Sequence, residues 1–264
     1  MPKFSILTPV RNSEMFITRC LESVKNQDFD MEHLIQDAKS SDSTMRIIDN
    51  FSNLNVHVKS VSETDDGQSD ALNKLLDRAT GKYIGWLNSD ETYLPGTLQK
   101  VHEIFERTNA DVLYGDCFFV DENLNRIRLY SNHKFNRTIL RHLGCYIPSC
   151  STFFKAESLA NFRFDVQFKR CMDWDMYLQI DNLRFEYLKE ALSTFAIHSN
   201  QVTNKPESED HHEFSLLQEK HGLNRNPALI KPKLRVKLFR IFLKMSNGNY
   251  FRELYYSIPT WFKS

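Results

Sequence analysis

The chain has 264 residues, 41% of them hydrophobic and 26% charged, within reach of one large α/β domain or of one domain plus an appendage. Lys+Arg and Asp+Glu each number 34, so overall charge gives no ground for a nucleic-acid partner. The five cysteines (Cys20, Cys117, Cys145, Cys150 and Cys171) are scattered and lack a C-x-x-C pair. That disfavours a disulfide framework or zinc site and fits a reducing cytoplasm. The opening apolar run is too short for a secretory leader, and no stretch has the apolar length to span a bilayer.

Residues 4–10 predict a strand, ended by Pro9 and Arg11-Asn12, with Asn12 or Ser13 as the cap of a following helix. In that helix Phe16, Ile17, Cys20, Leu21 and Val24 keep helical spacing. A second strand, residues 33–36, ends at Asp37, and a polar, cap-rich loop then leads into a helix with Met45, Ile48 and Phe51 on one side. A third strand covers 56–61, followed by the acidic loop 63–67. Ser69 or Asp70 opens a helix carrying Ala71, Leu72, Leu75, Leu76 and Ala79, with Gly81 placed to terminate it.

The run Tyr83 to Leu87 reads as a buried strand, stopped by Asn88, Ser89, Asp90 and Glu91. Pro95-Gly96 then starts a helix. The β-α-β-α-β-α-β rhythm predicts a parallel sheet flanked by helices, with its acidic strand ends at Asp37, 63–66 and Asp90 gathered on one rim. Ligands of such sheets sit outside the carboxyl ends of the strands. Oxygen donors grouped there suit a hard divalent cation on a phosphate ester. Read alone, residues 88–91 serve equally well as a solvated turn capping the next helix.

From Asp111 the pattern changes. Residues 112–120 and 126–130 predict a strand pair joined by a turn-like cluster at 121–125. A short helix over 135–143, an uncharged run over 144–154 and a helix over 156–162 follow. A helix over 171–180 carries Trp174, Tyr177 and Leu178 as its buried stripe, and residues 185–197 predict a strand ending at His198. One more helix covers 211–221. No internal repeat is present.

Five stretches together resemble the family 2 glycosyltransferases, whose nucleotide-sugar domain is the GT-A fold. They are residues 4–12, 36–44, 62–74, 85–91 and 172–175, in the family's order and spacing. The resemblance implies an inverting transfer of a sugar from a nucleotide diphosphate donor, UDP by expectation, to an acceptor hydroxyl. It implies that Thr8, Pro9 and Val10 line the base pocket and that Asp37 accepts hydrogen bonds from uracil or ribose. Asp66 and Asp70 would lie near the nucleotide. Asn88, Ser89 and Asp90 take the family's DXD position, with Asp90 ligating Mg2+ or Mn2+. Asp173 matches the catalytic base, and His198 a His that some relatives use near the diphosphate or metal.

Three positions depart from the family pattern. Ala38 replaces the usual glycine, Asn88 the first Asp of DXD, and Met172 an acidic residue before the base. The Q-x-x-R-W motif of processive synthases is absent, which points to transfer of one sugar. Nucleotidyl transfer is disfavoured by the lack of a glycine-rich basic loop near Asn12, while Ala38 and Asn88 keep a catalytically silent nucleotide-sugar-binding module in view. The expected organisation is a GT-A catalytic domain over 1–205, with a nucleotide-sugar half over 1–110 and an acceptor half over 111–205. A helical extension over 206–264 follows.

Within that extension, Leu234, Leu238, Ile241, Phe242 and Met245 fall on one face, and Lys233, Lys237, Arg240 and Lys244 on another. Such a helix can lie on an anionic membrane, with Trp261 and Phe262 as further anchors. The same stripe would equally pack the helix on protein. The resulting expectation is a cytoplasmic protein in surface polysaccharide synthesis, at the inner face of the plasma membrane, acting on a glycan or lipid-linked acceptor.

Overall fold

A computed structural model describes residues 1–198 and 210–223, together with Lys244, Met245, Asn249, Arg252, Glu253 and Tyr256. Phe4–Val10 (β1), Met31–Asp37 (β2) and Tyr83–Trp86 (β4) are buried along their whole length, so the usual alternation of a half-covered strand is missing. Val58–Ser62 (β3) lies at the sheet edge and does alternate. The order β3-β2-β1-β4 is parallel throughout. The connections run through helices Ile17–Lys25 (α1), Thr44–Ser52 (α2) and Gln68–Arg78 (α3).

The sheet continues without a break. β4 pairs antiparallel with Thr152–Lys155 (β8), and β8 with Val112–Val120 (β6). Strand β6 carries Arg126–Tyr130 (β7) on its antiparallel side and runs parallel to Phe185–Ala196 (β9), on which the two-residue Thr92–Tyr93 (β5) closes. The remaining helices are Thr97–Arg107 (α4), Arg137–His142 (α5), Met172–Gln179 (α6) and Asp210–His221 (α7). One face of the sheet packs on α1 and α4 through Ile17, Leu21, Leu98 and Val101. The other packs on α3 and α6 through Leu72, Leu75, Met176 and Tyr177. This is the α/β, GT-A-like arrangement that the sequence predicts.

Several local expectations are corrected. Helix α1 begins after Phe16, and Ser13 serves it with its backbone carbonyl, which accepts the N–H groups of Phe16 and Ile17. Asn12 takes a left-handed φ of 48°, and its Oδ1 accepts the Ser41 N–H at 2.9 Å, tying two rim loops together. Helix α3 opens at Gln68 and ends at Arg78, so Gly81 does not terminate it. A Cβ on Gly81 would stand 2.5 Å from the Ser5 nitrogen and 2.6 Å from the Phe4 carbonyl carbon, and that approach is what requires glycine. Strand β3 starts at Val58, because Asn55 closes a turn onto the Val58 N–H and leaves Val56 84% exposed. The helix expected over 156–162 is one 3-10 turn, Ala156–Leu159.

The amphipathic segment 229–243 and the anchors Trp261 and Phe262 lie outside the described residues. At its end the faces are the reverse of those expected: Lys244 is 8% exposed and Met245 51%. Lys244 pairs with Glu253 and sits over the Tyr130 ring. Glu253 in turn accepts the Ser131 N–H at 2.9 Å, so Lys244 and Glu253 dock beside β7 by polar contacts. Among the described residues no helix is long and apolar enough to cross a membrane.

Candidate functional site

Because β1 to β4 run parallel, Val10, Asp37, Ser62 and the turn after Trp86 share one edge. Asp37 ends β2 fully buried. Its carboxylate accepts the Ser40 N–H and hydroxyl, and the Ser62 hydroxyl at 2.6 Å. Pro9 and Val10 are buried in β1. Thr8 points elsewhere: its hydroxyl pairs with His33 Nε2 at 2.9 Å inside the fold.

The acidic loop is cross-tied. The exposed Asp66 donates its N–H to Asp70 Oδ2 at 3.2 Å. Lys74 Nζ bridges Asp70 at 3.2 Å and Glu63 at 3.3 Å, and donates to the Thr64 carbonyl. Asp70 therefore organises the loop through which Asp66 reaches the rim.

The turn after β4 closes on itself. The Asn88 N–H donates to Glu91 Oε2 at 2.8 Å, and the Glu91 N–H to the Asn88 carbonyl at 3.1 Å. Glu91 is 1% exposed, and burial holds its carboxyl well above the usual carboxylate range. Asn88 Oδ1 accepts Gln68 Nε2 at 2.6 Å and Trp86 Nε1 at 2.9 Å, so its oxygen faces these two donors. Ser89 stands half-buried at the tip. Asp90 meets His198, from the end of β9, with Oδ2 and Nε2 3.0 Å apart.

Asp90 and His198 supply a hard oxygen and an imidazole nitrogen. Among the described residues no group of three His, Cys, Asp or Glu could hold a metal. Mg2+ and its analogues are ordinarily held by one or two protein groups together with substrate phosphates. The pair fits a cation shared with a diphosphate, with no all-protein cage.

Asp173 lies in the first turn of α6, half-buried, its Oδ1 accepting the Trp174 N–H at 2.7 Å. Burial pushes its carboxyl up to about 6, against the lowering pull of that N–H. Two contacts bring α6 to the rim. Ser69, in the first turn of α3, donates to the Phe168 carbonyl at 3.0 Å and lies 3.9 Å from Met172 Sδ. Gln68, beside it, holds Asn88. The stretches around Asn88, Asp70 and Asp173 thus form one connected rim.

Sequence reasoning overlooked Gln68 and Trp86 as the residues that orient Asn88. Trp86 was recoverable, since side chains two apart on a strand share a face. Ser40 and Ser62 carry no signal until their strand ends are brought together.

The family model for Glycosyl transferase family 2 matches residues 5–165, and the chain belongs to that family. It is similar to the GalNAc(5)-diNAcBac-PP-undecaprenol beta-1,3-glucosyltransferase of Campylobacter jejuni, 29% identical over 48% of this chain and 42% of that one. It is also similar to the poly(ribitol-phosphate) beta-N-acetylglucosaminyltransferase TarS of Staphylococcus aureus, 32% identical over 43% of this chain. The chain matches 20% of that relative's length. Among solved structures, S. aureus TarS in complex with UDP-GlcNAc superposes with a TM-score of 0.67 at 21% identity, covering 81% of this chain and 65% of its own.

Proposed function

We propose that this chain is an inverting, metal-dependent, non-processive glycosyltransferase that moves one hexosyl group from a UDP-sugar to a hydroxyl of a glycan or lipid-linked saccharide. Its expected place is surface polysaccharide assembly, on the cytoplasmic side of the membrane. The observation that carries the reading is the meeting of Asp90 and His198 at 3.0 Å on the rim where the parallel strands end. UDP-GlcNAc in the TarS structure supports the donor class, and the undecaprenol-linked substrate in the C. jejuni relative's name supports the acceptor class.

When bound, Mg2+ or Mn2+ at Asp90 and His198 would neutralise charge on the departing diphosphate. Val10 and Asp37 sit where the uridine would lie, and Asp66 and Asp70 border it. The Asp173 carboxylate takes the proton of the acceptor hydroxyl as the hydroxyl oxygen bonds to the anomeric carbon. The bond to the diphosphate breaks on the opposite face, giving inversion, and UDP leaves.

Release of UDP from a panel of UDP-sugars, with Mg2+ or Mn2+ and with EDTA, tests the reading. We expect one donor to turn over only with metal, and Asp90→Ala to lose both turnover and metal-dependent UDP binding while staying folded. Near-normal turnover in folded Asp90→Ala would refute the metal role. The engagement of Asn88 Oδ1 by Gln68 and Trp86 favours a second reading, a catalytically silent nucleotide-sugar-binding module. Tight UDP binding with no release from any donor would establish that one. The membrane contact assigned to 229–245 belongs to the proposal too. It predicts flotation of the full chain with anionic vesicles at low salt, lost on truncation before Lys231.

A further inference from the structure

His198 stands one residue past the last ladder bond of its strand, in which Ile197 N–H donates to the Val120 carbonyl at 2.8 Å. Its side chain is nonetheless only 9% exposed. The Phe16 ring covers it, stacked with centroids 4.5 Å apart and planes at 24°. Phe16 is not part of the buried stripe of α1, which is Ile17, Cys20, Leu21 and Val24. It stands half-buried at the helix start, where packing of the helix does not require an aromatic ring.

The ring is itself fixed. Its backbone N–H donates to the Ser13 carbonyl at 3.0 Å, and the Ser13 N–H donates to Thr44 Oγ1 at 2.7 Å. One turn on, the Arg19 guanidinium lies 5.3 Å from the Phe16 centroid and donates to the Glu122 carbonyl in the β6–β7 turn. Val120, which holds Ile197, belongs to that same hairpin. Phe16, Arg19, the hairpin and His198 therefore close a ring of contacts around one imidazole.

We propose that Phe16 is a positioning residue for the metal–diphosphate end of the donor site, acting by holding the His198 imidazole against Asp90. The proposal rests on the metal-dependent reading above. Partners that orient a metal-ligating histidine typically contribute about 10–100-fold in metal affinity, and an offset aromatic stack sets a ring plane in a way an aliphatic side chain does not.

The test is Mn2+ binding to the full chain with UDP present, followed by the EPR signal of free Mn2+, with metal-free melting as the check on folding. Phe16→Ala and Phe16→Leu should weaken Mn2+ binding by about 10-fold or more, and Phe16→Tyr should restore it. Phe16→Ala combined with His198→Ala should bind no more weakly than His198→Ala alone, because the first change acts through the second residue. Wild-type Mn2+ affinity in folded Phe16→Leu, with Asp90→Ala still deficient, would overturn the positioning role and leave the metal site standing. Additive losses in the double variant would overturn it likewise. Undiminished Mn2+ affinity in Asp90→Ala would sink the metal reading itself, and this inference with it.

Discussion

The two aspartates of α6 lie two positions apart and have opposite surroundings. Asp175 is 1% exposed and paired with Lys220 at 3.0 Å and His221 at 2.7 Å, which fastens α7 to the domain. Among the described residues Asp173 has no such cation, and burial raises it from 3.8 to about 6. For a base that must be ionised, kcat/KM should fall about tenfold per pH unit below that value. The stability effect has the other sign. A carboxyl raised in the folded state costs nothing below its ordinary value, and its full penalty applies above about 6. Asp173→Asn is therefore expected to lower turnover by about 10²–10⁴-fold. It should at the same time stabilise the fold by about 0.5–2 kcal/mol at neutral pH. UDP release and a thermal melt on the same sample check both. A fall in UDP affinity that matches the fall in rate would show that Asp173 shapes the donor site instead.

At the scale of elements, the parallel half was legible because each strand and helix there declares itself locally. The apolar spacing of Ile17, Cys20, Leu21 and Val24 predicts the face that α1 buries. What was not legible depends on distant partners. Strand β8 begins at the end of an uncharged run without alternation, and becomes a strand by pairing Phe154 with Ile84 and with Val112. Strand β5 is two residues long and exists through Thr194 and Ser193 of β9. Gln68, which helps to orient Asn88, is hidden for the same reason, since it lies twenty positions away on another element. Gly81 looks like a helix terminator in the sequence because nothing local reveals Ser5 behind it. Gly81→Ala tests the structural explanation. Its Cβ would meet backbone atoms that cannot rotate aside, so a loss of about 1–3 kcal/mol is expected in denaturant unfolding. Unchanged stability would mean that the β1 approach is not what excludes a side chain.

For the whole molecule, described residues late in the chain pack against the sheet. Arg252 reaches the fully buried Asp116 at 2.9 Å, and Tyr187 and the Asn132 N–H complete the carboxylate's shell. Burial still pushes Asp116 up to about 6, so its charge depends on these partners. Arg252→Met removes the cation and one charge-assisted hydrogen bond, and should cost about 1–3 kcal/mol. The loss should shrink as pH falls through about 6 and Asp116 becomes neutral. A melt repeated across that range, with Arg252→Met and wild type side by side, reads it directly.

The unbroken ladder from β4 through β8 to β6 has a practical consequence for building chimeras. Tyr83, Ile84 and Gly85 pair with Lys155, Phe154 and Phe153, so a strand from beyond residue 111 is laid directly against the strand that leads into the Asp90 turn. A graft that exchanged residues 111–198 for those of a relative would have to carry this register intact. Gly85 sets the tightest condition. A Cβ there would lie 2.6 Å from the Tyr93 hydroxyl and 2.9 Å from the Phe153 ring. A donor strand with a bulkier residue at the Phe153 position would press on the backbone that aims Asp90. The two stretches are thus not separable cassettes, and a transplant should begin by matching the residue opposite Gly85.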